Sequence, residues 1–155
     1  MEKNEAGKRG DGMSTVFLKY HGLGSDYLVY DTGRNDVMLD EKAVRTVCAR
    51  NCGLGVAGIL AGTLLDGRRV EMKLFRPDGS ILEAGADEMY IFSRYLKDAG
   101  YLEERKLFFH TAEGELMEDT EGLSGEPEAA PVGKLYLSEE FIARNHLTCA
   151  APGIG

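Results

Sequence analysis

The segment from Ala86 to Ala99 is the feature that most constrains the fold of this chain. Its pattern is helical, and apolar side chains surround nearly its whole circumference: Met89, Ile91, Phe92, Tyr95, Leu96 and Ala99. A helix that is apolar on most sides must be buried on most sides. Gly100 follows at the position where glycine commonly ends a helix. The rest of the chain must therefore form a surface that encloses this helix.

Strand-like segments on both sides of the helix can supply that surface. β-branched and aromatic residues favour strands at residues 16–20 and 27–31. Two hairpins are predicted, from 58–65 to 69–75 across Asp66-Gly67 and from 107–111 to 115–118 across Glu113-Gly114. A second helix is predicted from Glu41 to about Arg50, with Asp40 as its N-cap. The pattern predicts an α+β fold, a curved and mostly antiparallel sheet wrapped around a central helix.

Composition excludes several classes of partner. The 155 residues carry a net charge of -8, whereas nucleic acids and anionic membranes are bound by basic patches. No apolar run approaches the roughly 18 residues of a membrane span, and no signal-peptide pattern opens the chain. We therefore expect a cytoplasmic protein that binds neither nucleic acid nor membrane. The three cysteines, Cys48, Cys52 and Cys149, suggest neither a disulfide framework nor a metal site.

The chain divides into three parts by composition. Residues 1–13 are charged and glycine-containing and are predicted to be a disordered leader. Residues 14–119 are predicted to form the structured domain. Residues 120–133 are rich in glycine and proline and are predicted to be a loop or linker, followed by a short apolar segment at 134–142. Residues 120–155 are therefore interpreted as a linker and a short C-terminal piece.

Four short motifs occur in one order along the predicted domain. They read HGLGSDY at 21–27, GLGVAG at 53–58, FRPDGS at 75–80 and IFSRYL at 91–96, within the central helix. Together they resemble motifs in the first half of the diaminopimelate epimerases, over about residues 16–111. The resemblance implies a diaminopimelate-epimerase-like domain, and residues 120–155 would be a remnant or a truncated second domain.

The resemblance also implies a chemistry. In this family two homologous domains face a cleft, and no pyridoxal phosphate or other cofactor is used. A cysteine thiolate on one domain removes the α-proton of the amino acid, and a thiol on the other domain returns a proton to the opposite face. The family converts LL- to meso-diaminopimelate in lysine biosynthesis. Its first cysteine corresponds to Ala84 here, whose methyl group cannot accept a proton.

Substrate-binding positions carried over from the family are also changed. They correspond to Ser25, Arg76, Gly85 and Ala86, and the family has asparagine at three of them, where this chain has serine, arginine and alanine. Asp87 and Glu88 add negative charge to the first turn of the helix, which stabilises the helix but repels a substrate carboxylate. We therefore expect no catalytic residue, no metal and a catalytically degenerate domain that retains at most an amino-acid ligand.

An alternative function and a partner remain open. The alternative is an active amino-acid isomerase, independent of pyridoxal phosphate, whose site is completed by another chain or by a base that the motifs do not reveal. Cys149 as a second catalytic thiol is less favoured than a surface thiol. Because a lone first domain would expose the face that its partner domain covers, we expect a homodimer in which a second copy takes that place.

Overall fold

The computed structural model describes residues 15–22, 24–51, 56–66, 69–101, 106–111, 114–119 and 129–149. The predicted leader, half of the GLGVAG motif (residues 53–55) and Cys52 lie outside these residues. The division of the chain into leader, domain and C-terminal remnant therefore stays a prediction.

The described residues form eight strands and three helices. The strands are β1 (Thr15–Gly22), β2 (Ser25–Asp31), β3 (Val56–Asp66), β4 (Arg69–Phe75), β5 (Ile81–Leu82), β6 (Lys106–Thr111), β7 (Gly114–Asp119) and β8 (Ala129–Leu137). The helices are α1 (Glu41–Asn51), α2 (Ala86–Asp98) and α3 (Glu139–Arg144). The strand order is β7-β6-β4-β3-β2-β1-β8, with β5 paired to β4. Only β2–β3 and β4–β6 are parallel, so the predicted mostly antiparallel sheet is confirmed.

The two parallel pairs explain why helices cover both faces of the sheet. β2 reaches β3 through α1, and β4 reaches β6 through the segment that contains α2. Both connections step in the same direction across the sheet, but β4 runs antiparallel to β3. Because such crossovers are nearly always right-handed, the reversed strand direction sends α1 and α2 to opposite faces.

The core accordingly consists of two apolar layers on the two faces of the sheet. Alternate residues of β2 enter different layers, with Leu28 and Tyr30 on the α1 side and Tyr27 and Val29 on the α2 side. The α2 layer contains the helix residues Met89, Ile91, Phe92, Tyr95 and Leu96, each at most 3% exposed. Helix α2 also contacts β7 and β8, the two edge strands of the sheet. The prediction of a sheet curved around this buried helix is confirmed.

The residues predicted to begin and end the helices, Asp40 and Gly100, take those positions in the structure. Asp40 accepts a hydrogen bond from the backbone N–H of Ala43 at 2.8 Å, as expected of the N-cap of α1. Gly100, after α2, has φ of +85°, a conformation that glycine adopts without steric cost. The two predicted hairpins, β3–β4 and β6–β7, are both present.

The loop predicted over residues 120–133 is corrected at its C-terminal part. Residues from Ala129 onward belong to β8, which pairs with β1 from Gly22–Ala129 to Thr15–Leu137. Pro131 and Gly133 suggested a turn, but an edge strand tolerates proline, especially near a bulge. The register shifts between Lys19 and Tyr20, directly opposite this part of β8. No helix in the described ranges is long and apolar enough to span a membrane.

Candidate functional site

The HGLGSD motif forms the hairpin between β1 and β2. Gly22 pairs with Ser25 and His21 pairs with Asp26, while Gly24 takes a positive φ of +86°. The His21 Nδ1 atom lies 2.5 Å from Asp26 Oδ1, and Lys19 Nζ lies 3.5 Å from Asp26 Oδ2. The hydrogen bond from His21 is the main cause that lowers the pKa of Asp26 below its usual value. The motif therefore builds an ion-paired turn at the end of the sheet.

A hydrogen bond joins this hairpin to the N-terminus of α2. The Tyr27 hydroxyl donates to Glu88 Oε2 at 2.7 Å, and the Gly85 N–H donates to Glu88 Oε1 at 2.7 Å. Glu88 is the third residue of the helix, and its side chain accepts a hydrogen bond from the backbone N–H of the N-cap residue. This is one of the two bonds of a capping box. Burial raises the pKa of Tyr27, and the bond to Glu88 raises it further. The helix start that the motifs mark as a ligand position already holds a carboxylate of its own.

The FRPDGS motif forms a tight turn between β4 and β5. The Arg76 N–H donates to the Ser80 carbonyl, and the Gly79 N–H donates to the Arg76 carbonyl, both at 2.8 Å. Asp78 Oδ1 accepts from the Ser80 N–H and hydroxyl at 2.9 and 2.7 Å, which lowers the Asp78 pKa. Gly79 is buried with φ of +95°, and a Cβ there would lie 2.5 Å from Glu41 Cγ. The turn therefore requires glycine for both backbone conformation and space.

Strand register brings the predicted site residues to one end of the sheet. Tyr27 on β2 pairs with Gly58 on β3, and the next residue, Ile59, pairs with Phe75 at the end of β4. β5 then pairs with the end of β4 and leads directly into residues 84–86. The start of β2, the end of β4 and the N-terminus of α2 therefore share an edge, where Ser25, Arg76, Ala84, Gly85 and Ala86 lie.

The exposure of these residues differs. Ser25 is half-buried at the first position of β2, and Arg76 is exposed directly after β4. Gly85 and Ala86 are exposed as the N-cap and first residue of α2, whereas Ala84 is half-buried and packs against the core layer of α2. Their roles in binding stay predictions.

The opposite end of α2 carries a second polar network. Asp31, 4% exposed, accepts hydrogen bonds from the hydroxyls of Tyr95 at 2.5 Å and Tyr101 at 2.6 Å, and from the Gly33 N–H at 2.8 Å. Nearby, the Tyr20 hydroxyl donates to Asp98 Oδ2 at 2.7 Å. Burial is the largest cause that raises the pKa of each of four tyrosines, here called the buried tyrosines: Tyr20, Tyr27, Tyr30 and Tyr95.

The described cysteines lie with the α1 layer, on the other face of the sheet from Ala84. Cys48 is buried among the residues on the α1 side of the sheet. Cys149 is exposed and forms a β-bridge with Val37, whose side chain lies in that same layer. Partial desolvation raises the pKa of the Cys149 thiol. No cluster of three or more possible metal ligands occurs within the described ranges.

Sequence reasoning missed the two contacts that organise the ends of α2. The spacing of Glu88, three residues after Gly85, could have predicted the capping bond to the Gly85 N–H. No feature of the sequence predicts the bond between Glu88 and Tyr27. Asp31 gave no local signal, because its tyrosine partners lie 64 and 70 residues further along the chain.

A mixed sheet curved around one buried helix, with glycine-rich turns gathered at the helix N-terminus, defines an α+β domain of epimerase-like architecture. The sequence matches the family described as "Diaminopimelate epimerase" over residues 17–128. This chain belongs to the diaminopimelate epimerase family.

Curated relatives match only part of their own length. The chain is 39% identical over 99 residues to "Diaminopimelate epimerase 2" of Nostoc sp., covering 63% of this chain and 35% of that protein. It is 32% identical over 99 residues to the diaminopimelate epimerase of Moorella thermoacetica, covering 63% of this chain and 36% of that protein. The chain thus spans about a third of the length of these relatives.

Solved structures support the fold. A PhzF-family phenazine biosynthesis protein from Enterococcus faecalis superposes with a TM-score of 0.53 at 14% identity, covering 68% of this chain and 40% of that one. A PhzC/PhzF phenazine biosynthesis protein from Clostridium difficile gives a TM-score of 0.51 at 13% identity, covering 71% of this chain and 40% of that one. At this identity the likeness concerns architecture alone.

Proposed function

We propose that this chain is a diaminopimelate-epimerase-family domain that no longer transfers protons. The observation that carries the proposal is position 84, where a half-buried alanine precedes the N-cap of α2. Abstraction of an α-proton requires a base within hydrogen-bond reach of the carbon that loses it. The Ala84 methyl group cannot act as that base. Cys48 belongs to the apolar layer on the opposite face of the sheet from Ala84, and Cys149 bridges to Val37 of that same layer.

The charges at the start of α2 support the same proposal. The N-terminus of a helix favours an anion through its unpaired N–H groups and its dipole. Here Glu88 supplies that anion, held by Tyr27 and by the Gly85 N–H, and Asp87 adds a second negative charge in the same turn. A substrate carboxylate approaching this helix end would meet two like charges instead of free donors.

A second candidate function follows from the relatives. They are diaminopimelate epimerases, and this chain spans about a third of their length. An amino-acid isomerase without pyridoxal phosphate, converting LL- to meso-diaminopimelate, would then require another chain, or an unrecognised base, to complete the site.

Solvent hydrogen exchange separates the two functions. The full chain is incubated with LL-diaminopimelate in deuterated water, and the α-proton signal is followed by NMR. The non-catalytic proposal expects no exchange above the protein-free rate. Exchange that a thiol-blocking reagent abolishes would establish the isomerase instead. A diaminopimelate epimerase with both catalytic thiols serves as the positive control.

We also propose that a second copy of the chain covers the apolar residues beside the candidate site. Ile81 and Leu82 of β5 are 55% and 43% exposed, two residues before Ala84. Exposed apolar residues that adjoin one another commonly mark an interaction surface. Size-exclusion chromatography with light scattering should give twice the chain mass of 17.0 kDa. Ile81→Lys should shift the protein towards monomer, whereas a wild-type monomer at high concentration would contradict the proposal.

A further inference from the structure

A cavity lies at the C-terminal end of α2, far from the candidate site. Its volume is about 290 Å³, and it opens between that helix end and strands β1, β2 and β8. Helix α2 has 13 residues, so this cavity and the N-terminus of the helix are about 20 Å apart at 1.5 Å per residue. The cavity is therefore separate from the site that the family motifs mark.

The walls of the cavity are mainly apolar. Val16 and Leu18 of β1 and Val29 of β2 line it, and the rings of Tyr20 and Tyr95 contribute to its surface. Both tyrosine hydroxyls already donate to carboxylates, Tyr20 to Asp98 and Tyr95 to Asp31. A ligand that fits must accordingly bring an apolar body, and its polar groups must meet the charged residues at the edges.

Those charged residues are of both signs. Asp31 and Asp98 line the cavity beside the last turn of α2, where the helix dipole is also negative. The Asp98 side chain is 28% exposed, and a carboxylate has lone pairs beyond those used by Tyr20 and Arg94. This side of the cavity complements an ammonium group.

The β8 side of the cavity complements a carboxylate. Lys134 of β8 lines the cavity and is exposed, and it forms no ion pair with any residue that the structure describes. Arg34 also lines the cavity, but its guanidinium is held by the Ala99 carbonyl at 3.2 Å and stacks on Tyr101 at 4.4 Å. Among the described lining cations, Lys134 is therefore the one available to an anionic ligand group.

We propose that this cavity binds a small zwitterion with an apolar body, that is, a free amino acid with an apolar side chain. The ammonium group faces Asp98 and the carbonyl end of α2, the carboxylate faces Lys134, and the side chain packs on Val16, Leu18 and Val29. A ligand of this size on a half-open surface gives a dissociation constant on the order of a millimolar. The inference does not depend on whether the candidate site at the other end of α2 is active.

Titration of the full ¹⁵N-labelled chain by NMR tests the proposal. L-Phenylalanine is the probe, and phenethylamine and 3-phenylpropanoate are matched analogues that each lack one charge. L-Phenylalanine should give saturable shifts that include the amides of Ala99 and Gly100, and each analogue should bind roughly threefold to tenfold more weakly.

Matched variants test whether the carboxylate of the ligand faces Lys134. Lys134→Gln should weaken L-phenylalanine binding roughly threefold to tenfold and leave phenethylamine binding unchanged. Lys97→Gln, the same change near the end of α2 but outside the cavity lining, should leave both unchanged. The proposal is overturned by equal affinity for all three probes, by equal effects of the two variants, or by no saturable shift at millimolar ligand.

Discussion

Replacing Asp31 with asparagine should destabilise the fold more than any other single removal of a charge from the described residues. Asp31 is a buried carboxylate, and its two oxygens accept three hydrogen bonds, two from tyrosine hydroxyls and one from a backbone N–H. Asparagine has one acceptor oxygen instead of two. At least one donor must therefore lose its acceptor, and the remaining bonds lose their charge assistance.

The expected loss follows from these contacts. A hydrogen bond to a charged group contributes about 1.5–3 kcal/mol net, and a buried donor left unpaired costs about 1–3 kcal/mol. Since Asp31 is 4% exposed, solvent does little to reduce the energetic cost of the lost hydrogen bonds. We expect Asp31→Asn to lower the free energy of unfolding by about 3 kcal/mol, which for a chain of this size lowers Tm by about 6–12 °C.

Urea and thermal unfolding of matched variants measure this loss. Asp78→Asn is the control, because Asp78 makes similar bonds within an exposed turn. Tyr95→Phe completes a double-mutant cycle, in which coupling to Asp31→Asn of about 1 kcal/mol or more is expected. If Asp31→Asn unfolds within about 0.5 kcal/mol of the Asp78→Asn control, the reasoning about this network is refuted.

Three further predictions concern a turn, pH and the first motif. Gly79→Ala should cost at least about 1 kcal/mol more than Gly100→Ala in urea unfolding, because both have positive φ but only the Cβ at position 79 would collide with Glu41; equal costs would contradict this. The buried tyrosines have raised pKa values in the folded protein, so above about pH 10 they ionise in the unfolded chain before they ionise in the folded one. The free energy of unfolding should therefore fall above about pH 10 by up to about 1.4 kcal/mol per pH unit for each of these tyrosines. Their contribution is fully present below pH 10, and ionisation of all seven tyrosines of the chain above pH 10 without loss of fold would oppose the prediction. His21→Ala should raise the pKa of Asp26 in a carboxyl NMR titration, while Lys42→Ala should not.

The sequence predicts the elements whose signals are local. The helix at α2 follows from apolar residues on nearly all its sides, and the β3–β4 hairpin follows from a turn dipeptide between apolar runs. Strand β8 was missed from Ala129 to Gly133, because its identity as a strand depends on pairing with β1 at the other end of the chain. The local propensity of Pro131 predicts a turn. It does not indicate that this residue lies on an edge strand, where proline is tolerated.

In the candidate site, too, the sequence predicts local features but not contacts between distant residues. The glycines of the motifs predict tight turns, as at Gly24 and Gly79, but the strand pairing that brings these turns to the start of α2 is seen only in the structure. The motifs do not predict which group satisfies the helix N-terminus, since Tyr27 and Glu88 are 61 residues apart. The cavity at the other end of α2 is less predictable still, because its lining comes from three strands and a helix end.

Most of the predicted site residues lie outside the apolar core, so they can change without loss of the fold. Both apolar layers consist mainly of residues on strands and helices, whereas Arg76, Gly85 and Ala86 are exposed at turns and a helix end. Substitutions at exposed positions usually change stability by less than about 0.5 kcal/mol. Glu88 even stabilises the helix start through its bonds to Tyr27 and the Gly85 N–H. In the proposed non-catalytic domain, the changes at Arg76 and Ala86 would therefore cost little stability, and the self-capped start of α2 would cost none.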